Sequence, residues 1–289
     1  FSSMAITNDV ALITFVPFAF TVLSLAGGEA RERLIIPTVV LQTVAANLGS
    51  MLTPVGNPQN LYLYGRAGMS LGAFVRLMLP YTCVSLLLVV VWSAVQSRAY
   101  NVPIVVSFGE KVRLSEKAVR LAAYLALFVL DLLTVARAVP CGRTLIITVI
   151  GLALIDRSIF ARVDYSLLLT FVGFFVFIGN MGRLPVFYDL LQQMVSGNEL
   201  LAGASASQVI SNVPAALLLS GFTENLASLA VGVNIGGLGT LIASMASLIS
   251  YKLVAREEGG AKGAYFRYFT FTNVCFLAVL LLFAFVWGA

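Results

Sequence analysis

Two stretches far apart in the chain carry nearly the same residues, and each interrupts a long apolar run. The first lies at 47–64 and the second at 234–251, a constant offset of 187 (234 − 47). Five pairs are identical at that offset: Asn47 and Asn234, Gly49 and Gly236, Thr53 and Thr240, Leu61 and Leu248, Tyr64 and Tyr251. Apolar segments broken by Gly or Pro at corresponding places in two halves of a chain indicate the binding site of a secondary transporter.

The repeat extends beyond the two breaks. Gly72–Arg76 resembles Gly263–Arg267, and Thr7-Asn8-Asp9 resembles Ser211-Asn212-Val213. The second copy has a lead-in of apolar spans within 115–204 that the first copy lacks. We therefore expect the N-terminal part of the first repeat, about 90 residues (204 − 115 + 1), to be absent from this chain. A naturally shorter relative is the alternative.

The composition favours a membrane protein. The chain is 60% hydrophobic and 11% charged, whereas soluble domains carry about 25% charged residues. There is no histidine, and the three cysteines have no metal-binding or disulfide spacing. The net charge of +5 fits basic cytoplasmic loops better than nucleic-acid binding. We expect no cofactor, no nucleic-acid partner and no metal beyond a transient Na⁺.

The apolar runs predict an all-α polytopic membrane protein. Simple spans are expected at 77–97, 118–136, 144–156, 163–182 and 268–288. Broken transmembrane helices are expected at 34–65 and 226–252, where Pro and Gly interrupt the runs. Residues 1–22 are interpreted as the second arm of a re-entrant hairpin. Residues 184–222 are interpreted as a complete one, because 196–199 are too polar for two full spans.

These segments predict two inverted repeats, each with a re-entrant hairpin and a broken helix. Residues 1–97 are the C-terminal part of the first repeat, 98–117 a cytoplasmic linker, and 118–289 the second repeat. An odd number of predicted crossings separates the two hairpins, which makes the repeats inverted. Most of the 18 basic residues fall on the side of the 24–33 loop. That side is therefore cytoplasmic, and the C-terminus lies outside the cell (inner) membrane.

Asn, Thr and Pro at the interruptions predict capped helix N-termini. Asn57 is expected to cap a half-helix that has Pro58 at its first position. Asn8, Asn212 and Thr240 are expected to cap three more. Such ends bind anions, and carbonyls freed at breaks suit Na⁺. The predicted substrate- and ion-binding residues are Thr7, Asn8, Asp9, Thr53, Gly56, Asn57, Asn60, Ser211, Asn212, Asn234, Gly237 and Thr240.

We expect the Asn57-Pro58 break to lie near Asn8, and the 237–240 break to lie near Asn212. Plain kinks in membrane helices are the alternative interpretation of both breaks. Gln42, Thr43, Gln59 and Ser244 either line the cavity or mediate helix packing.

Asp9 is the asymmetric residue of the repeat, because its counterpart is Val213. A charge at mid-membrane costs about 2.5–3.5 kcal/mol on insertion scales. We interpret Asp9 as the coupling residue, a proton carrier or cation ligand. The alternative is that Asp9 only stabilises the first turn of its helix, where an acidic side chain is favoured. For Asp131 the sequence leaves two roles open: a structural one and a place on a proton path.

Three segments together resemble the ion transporter superfamily: Thr7–Leu12, Leu52–Asn60 and Ser211–Ala215. This group includes divalent-anion/sodium symporters, citrate transporters and arsenite permeases. The resemblance implies inverted repeats, a homodimer and elevator-like motion. In the dicarboxylate branch a Ser-Asn-Thr motif at each hairpin tip binds a substrate carboxylate and helps to hold Na⁺. Asn8 and Asn212 match that motif. Asp9 and Val213 depart from it, which is more similar to the arsenite-permease-like and general anion-permease branches, where proton coupling is plausible.

The sequence therefore predicts a secondary active transporter of a small anion, either a carboxylate or an inorganic oxyanion, coupled to H⁺ or Na⁺. A cation/proton antiporter that uses Asp9, an arsenite efflux permease and a channel are the alternatives. An enzyme is not expected, because the chain has no histidine and no paired carboxylates that resemble a catalytic set.

Overall fold

The computed structural model describes residues 1–25, 28–97, 118–163, 165–181 and 183–288, and none of these forms a β-strand. The described helices are α1 (Ser3–Ile6), α2 (Asn8–Leu25), α3 (Gly28–Ser50), α4 (Pro58–Arg66), α5 (Leu71–Ser97), α6 (Ala118–Val135), α7 (Cys141–Ile155), α8 (Tyr165–Met181), α9 (Pro185–Val195), α10 (Glu199–Ile210), α11 (Asn212–Leu219), α12 (Leu226–Ile235), α13 (Met245–Glu257) and α14 (Lys262–Trp287). The predicted linker at 98–117 lies outside the described residues.

Length and composition identify membrane helices. Among the described residues, α2, α5, α6 and α14 are long and apolar enough to cross a bilayer. Shorter apolar helices are α7, α12 and the Leu168–Asn180 part of α8. Large apolar side chains such as Leu87 on α5 and Leu282 on α14 are more than 60% exposed. Such surfaces belong in lipid, and the prediction of an all-α polytopic membrane protein is confirmed.

The predicted spans at 118–136, 144–156 and 163–182 agree with α6, α7 and α8 within a few residues. The helices α5 and α14 begin about six residues before the predicted starts of their spans. The hydroxyl of Ser70 accepts a hydrogen bond from the N–H of Ala73 at 3.2 Å, which extends α5 into the polar sequence.

The bounds of both predicted hairpins differ in the structure, and their re-entrant character stays a prediction. In the first, α2 runs unbroken for 18 residues, and the tip lies at Thr7, so residues 1–6 precede the tip. In the second, 184–222 holds three helices. The turn at 196–198, which contains Gly197 with a positive φ of 80°, joins α9 to α10. The tip itself is Ser211, between α10 and α11.

The chain divides into two compact units. One unit contains the described residues at 1–97 and from 176 onward. Its core is formed by apolar side chains of α2, α3, α13 and α14, including Leu12, Val39, Ala246, Tyr265 and Phe269. Both hairpins and both helix breaks lie in this unit.

The other unit contains the described residues within 118–175. Here Asp131, on the exposed side of α6, accepts a hydrogen bond from the Thr148 hydroxyl of α7 at 3.4 Å. Asp156 follows α7 and accepts from the hydroxyl and the N–H of Ser158 at 2.6 and 3.0 Å. These hydrogen bonds lower the pKa of the Asp156 carboxyl. The contact of Asp131 with Thr148 favours the structural alternative for that residue.

Candidate functional site

The two helix breaks have the same backbone geometry where each second half-helix begins. After α3 the chain passes through a 3₁₀ turn at Pro54–Gly56 and restarts as α4 behind Asn57, whose φ and ψ are −147° and 148°. After α12 it restarts as α13 behind Ser244, at −143° and 150°. These two residues are separated by the repeat offset (244 − 57 = 187). The sequence repeat is therefore also a repeat of local structure at this point.

The side-chain caps differ from the sequence prediction. Asn57 stands at the N-cap position before Pro58, but its amide donates to the Ser50 hydroxyl at 2.6 Å and does not cap α4. Thr240 does not cap α13. Ser244 does so instead, because its hydroxyl accepts from the N–H of Ser247 at 3.2 Å. Thr53 caps the 3₁₀ turn through the N–H of Gly56.

Each hairpin tip is a non-glycine residue with a positive φ. Thr7 has φ 70° and ψ 154°, and Ser211 has φ 73° and ψ 152°. This region of backbone space is otherwise almost restricted to glycine and costs about 1–3 kcal/mol. Asn8 and Asn212 are the first helical residues after these tips, so the prediction that they occupy the N-cap position is wrong by one residue. The tip residue itself leaves the helical conformation.

Each break lies against its own hairpin. The Thr53 hydroxyl donates to the carbonyl of Met4, and the Thr240 hydroxyl donates to the carbonyl of Gln208 at 2.9 Å. Met4 and Gln208 both lie four residues before the first helical Asn beyond the tip. In the second copy the N–H of Asn212 also donates to the carbonyl of Ala243 at 2.9 Å. The structure thus brings the residues of each predicted tip and break together.

Asparagine side chains connect the two repeats of the chain. The amide of Asn8 donates to Asn47 at 3.3 Å, and the amide of Asn47 donates to the hydroxyl of Ser244 at 2.9 Å. The first tip is thereby linked to the second break. The amide of Asn234 donates to Oδ1 of Asn60 at 2.6 Å, which joins α12 to α4. All these residues are at least 95% buried.

The sequence prediction missed two residues whose side chains bond to the breaks, Asn47 and Gln208. Asn47 was not placed in the site, although it is the repeat counterpart of Asn234, which was. That equivalence was the signal that could have found it. Gln208 had no such signal, because its counterpart is Met4.

Several buried oxygen atoms accept no hydrogen bond within the described part of the chain. They include Oδ1 of Asn57, Oδ1 of Asn234, Oδ1 of Asp9 and, farther from the tips, Oε1 of Gln42 and Oδ1 of Asn273. Buried polar atoms are normally paired, and exceptions point to a water, an ion or a ligand. Oxygen acceptors suit a cation or a proton, whereas the N–H groups of Asn8, Asp9 and Val213, which have no partner within their helices, suit an anion.

A cavity of about 250 Å³ lies beside the first hairpin and is lined by residues of α2 and α3 together with Phe1 and Ser2. Gln42 lines it and donates to the carbonyl of Phe15 at 3.3 Å. A second cavity of about 620 Å³ lies between α3, α5 and α14 and shares Gln42 and Ala45 with the first. Thr43 instead packs against Ser250, with their hydroxyls 2.7 Å apart.

Residues 1–228 match the sequence profile of the citrate transporter family. The chain belongs to this family. The matched region contains both hairpin tips and the first break. Family membership makes the chain part of a multi-pass membrane transporter and not of an enzyme.

Three relatives are similar over most of the chain. The inner membrane protein YbiR of Escherichia coli K12 is 32% identical over 257 residues, which cover 87% of this chain and 66% of that protein. The uncharacterized transporter MJ0456 of Methanocaldococcus jannaschii is 32% identical over 255 residues, covering 88% and 68%. The uncharacterized transporter MT2759 of Mycobacterium tuberculosis is 22% identical, covering 77% and 60%. The chain therefore spans about two thirds of the length of these relatives.

Proposed function

We propose that this citrate-transporter relative is a secondary active transporter of a small anion, a carboxylate or an inorganic oxyanion, coupled to H⁺ or Na⁺. The observation that carries the proposal is the pair of hairpin tips. Thr7 and Ser211 share one strained backbone conformation, and each is followed by a buried Asn that begins a helix. Two such tips, each packed against a helix break, form a site that has hydrogen-bond donors for an anion and oxygen ligands for a cation.

The anion is bound between the two tips. In the first turn of α2 the N–H groups of Asn8 and Asp9, and in that of α11 the N–H of Val213, have no partner within their own helix, and each helix end carries about half a positive charge. The N–H of Asn212 already donates to the carbonyl of Ala243, and Pro214 has no N–H. The buried side-chain amides of Asn8 and Asn212 add donors at the same two ends. A carboxylate or oxyanion has enough acceptor oxygens to bind both ends at once.

Asp9 couples transport to the cation. It occupies the first turn of α2, and its Oδ1 is buried without a hydrogen-bond partner among the described residues. An ionised carboxylate in such a place is costly unless a cation or a proton accompanies it. A carrier that must load its cation before it moves needs such a group.

The proposed arrangement has two inverted repeats, with residues 1–97 in the first and 118–289 in the second. The protein lies in the cell (inner) membrane as a homodimer, with its C-terminus outside. The unit that contains the hairpins moves as an elevator between the two sides. During this movement the hydrogen bonds among the buried Asn side chains must stay formed. We therefore expect the hairpins and the breaks to move together as one rigid body.

The test is uptake into proteoliposomes that contain the full-length protein. Radiolabelled citrate, arsenite and phosphate are offered under an imposed pH or Na⁺ gradient. We expect Asp9→Asn to abolish uphill uptake and to preserve exchange of labelled for unlabelled anion, because the amide keeps the size but cannot titrate. The matched control is Asp189→Asn, on an exposed face of α9. Uphill uptake by Asp9→Asn with unchanged pH and Na⁺ dependence would refute the coupling role.

A cation/proton antiporter is the second candidate, because the unpartnered Asp9 oxygen serves it equally well. The same vesicles distinguish the two functions. Na⁺-dependent proton movement in the absence of every anion substrate indicates the antiporter.

A further inference from the structure

The side chain of Gln208 fills the second helix break. Its amide nitrogen lies 2.8 Å from the carbonyl oxygen of Gly236, 2.9 Å from that of Leu238 and 3.1 Å from that of Ala204. Its Oε1 accepts from the N–H of Thr240 at 2.9 Å. One side chain thus satisfies two carbonyls and one N–H of the break.

The loop of the break is shaped around this amide. Gly239 has a positive φ of 104°, and a Cβ added there would collide with Oε1 of Gln208. Only glycine fits both the backbone angle and the space. Gln208 and Gly239 are therefore a matched pair. Other carbonyls of the break have other partners: that of Gly237 lies 3.4 Å from the amide nitrogen of Asn47, and that of Ala243 accepts from the N–H of Asn212 at 2.9 Å.

At the first break no glutamine occupies the position equivalent to Gln208. The counterpart of Gln208 is Met4, which has no amide, and the counterpart of Gly239 is Leu52 (239 − 187). The carbonyls of Ser50, Met51 and Thr53 share the single amide nitrogen of Asn60 at 3.3, 3.4 and 3.2 Å. These distances are at the long end for N–H···O bonds, whereas those of Gln208 to the second break are near the ideal value.

The two hairpin tips differ in the same way as the two breaks: the first has an oxygen without a partner among the described residues, and the second does not. The first tip carries Asp9, with an unpartnered buried oxygen, beside loosely satisfied carbonyls. The second tip carries Val213, beside carbonyls that an amide already satisfies. Carbonyls at the break of a transporter helix are cation ligands when they are free. The carbonyl oxygens of Gly236 and Leu238 at the second break are not free, because the amide of Gln208 donates to both.

We propose that the amide of Gln208 permanently takes the place of a bound cation at the second break, so that the coupling cation binds only at the first hairpin tip. The inference deepens the proposed transport function and rests on it. Gln208 is then a positioning residue that sets the number of cations. One cation per transport cycle gives a Hill coefficient of about 1 for the coupling ion.

The test measures the melting temperature of the purified full-length protein in detergent. NaCl is varied from zero to about 300 mM, with choline chloride holding the ionic strength constant, at about pH 5 and about pH 8. The variants are Gln208→Glu, Gln208→Ala and Asp9→Asn, together with the double variant Asp9→Asn/Gln208→Glu. The matched control is Gln193→Glu, on the exposed face of α9.

A carboxylate at position 208 would face three carbonyl oxygens, so the folded state needs a proton or Na⁺ there. We expect Gln208→Glu to melt at a lower temperature at pH 8 than at pH 5, and Na⁺ to reverse the loss at pH 8. Gln193→Glu should show neither response. Gln208→Ala should gain a Na⁺-dependent rise, because the carbonyls become free.

The double variant separates the two proposals. Asp9→Asn removes the cation response of the first tip, and adding Gln208→Glu should create a new one at the second break. If the Gln208 variants respond to Na⁺ and pH as the wild type does, the inference is wrong. If instead the proposed coupling role of Asp9 is wrong, the single variant Asp9→Asn should keep the wild-type response to Na⁺ and pH. If Gln208→Ala does not fold, Gln208→Glu at pH 5 keeps the test decisive, since the protonated carboxyl retains a donor and the size of the amide.

Discussion

Asn60 and Asn234 are joined by a hydrogen bond of 2.6 Å between their side chains, and both residues are at least 97% buried. Asn60 lies just after the first break and Asn234 just before the second, so this contact ties the two breaks together. Asn60 also reaches three carbonyls of the first break, and Asn234 reaches the carbonyl of Ala230. The pair is a structural centre of the proposed site.

The first prediction concerns this pair. Asn60→Ala and Asn234→Ala should each lower the free energy of unfolding by about 1–3 kcal/mol, because each leaves buried partners unpaired. The double variant should lose less than the sum, with a coupling energy of about 0.5–3 kcal/mol. Denaturant titration in detergent measures these values. The control is Asn180→Ala, whose exposed side chain donates to the carbonyl of Val176 in its own helix at 2.9 Å. Strict additivity would show that the contact contributes nothing.

The second prediction concerns Asn8 and Asn212. If both amides donate to the transported anion, each alanine variant should weaken anion binding by about tenfold or more, since a hydrogen bond to a charged group contributes about 1.5–3 kcal/mol. Ligand-induced thermal shifts measure the affinity. Asn198→Ala is the matched control, because that exposed side chain makes no cap at the start of α10. Unchanged affinity in both variants would remove these residues from the site.

The third prediction concerns the strained tip at Ser211. Ser211→Gly should raise the melting temperature, because glycine adopts φ 73° without the steric cost of about 1–3 kcal/mol. Ser211→Ala keeps the Cβ and should not be stabilised, so it isolates strain from loss of the hydroxyl. The hydroxyl contributes little, since it lies 3.5 Å from its acceptor, the carbonyl of Ala243. Equal destabilisation of both variants would contradict the strain.

The fourth prediction concerns close packing at the first break. A Cβ on Gly56 would overlap the carbonyl oxygen of Ser50, a backbone atom that cannot move aside cheaply. Gly56→Ala should therefore destabilise the protein and open the 3₁₀ turn. Gly65→Ala is the control, because nothing lies within 4 Å of its added Cβ and alanine favours the helix by about 0.5–1 kcal/mol. A thermal melt that ranks the two variants in the opposite order would refute the prediction.

The helices and breaks were predictable because they depend on local pattern. Long apolar runs mark the spans, and Pro58 and the glycines at 236, 237 and 239 mark the breaks whatever surrounds them. The caps were less predictable. Asn57 is a good N-cap residue by type, but the Ser50 hydroxyl competes for its side chain, and that competitor arrives only when the break folds back.

The alignment of the two repeats alone determined that Asn8 and Asn212, and the two breaks, are equivalent positions. Sequence also identified Asp9 as the acid without a counterpart. Only the tertiary structure decided which atoms pair: Gln208 with the carbonyls of the second break, and Asn60 with Asn234. The reason is physical. Spans and breaks follow from the solvation of each segment, whereas the partner of a buried amide depends on which distant backbone atoms the packing brings within about 3 Å.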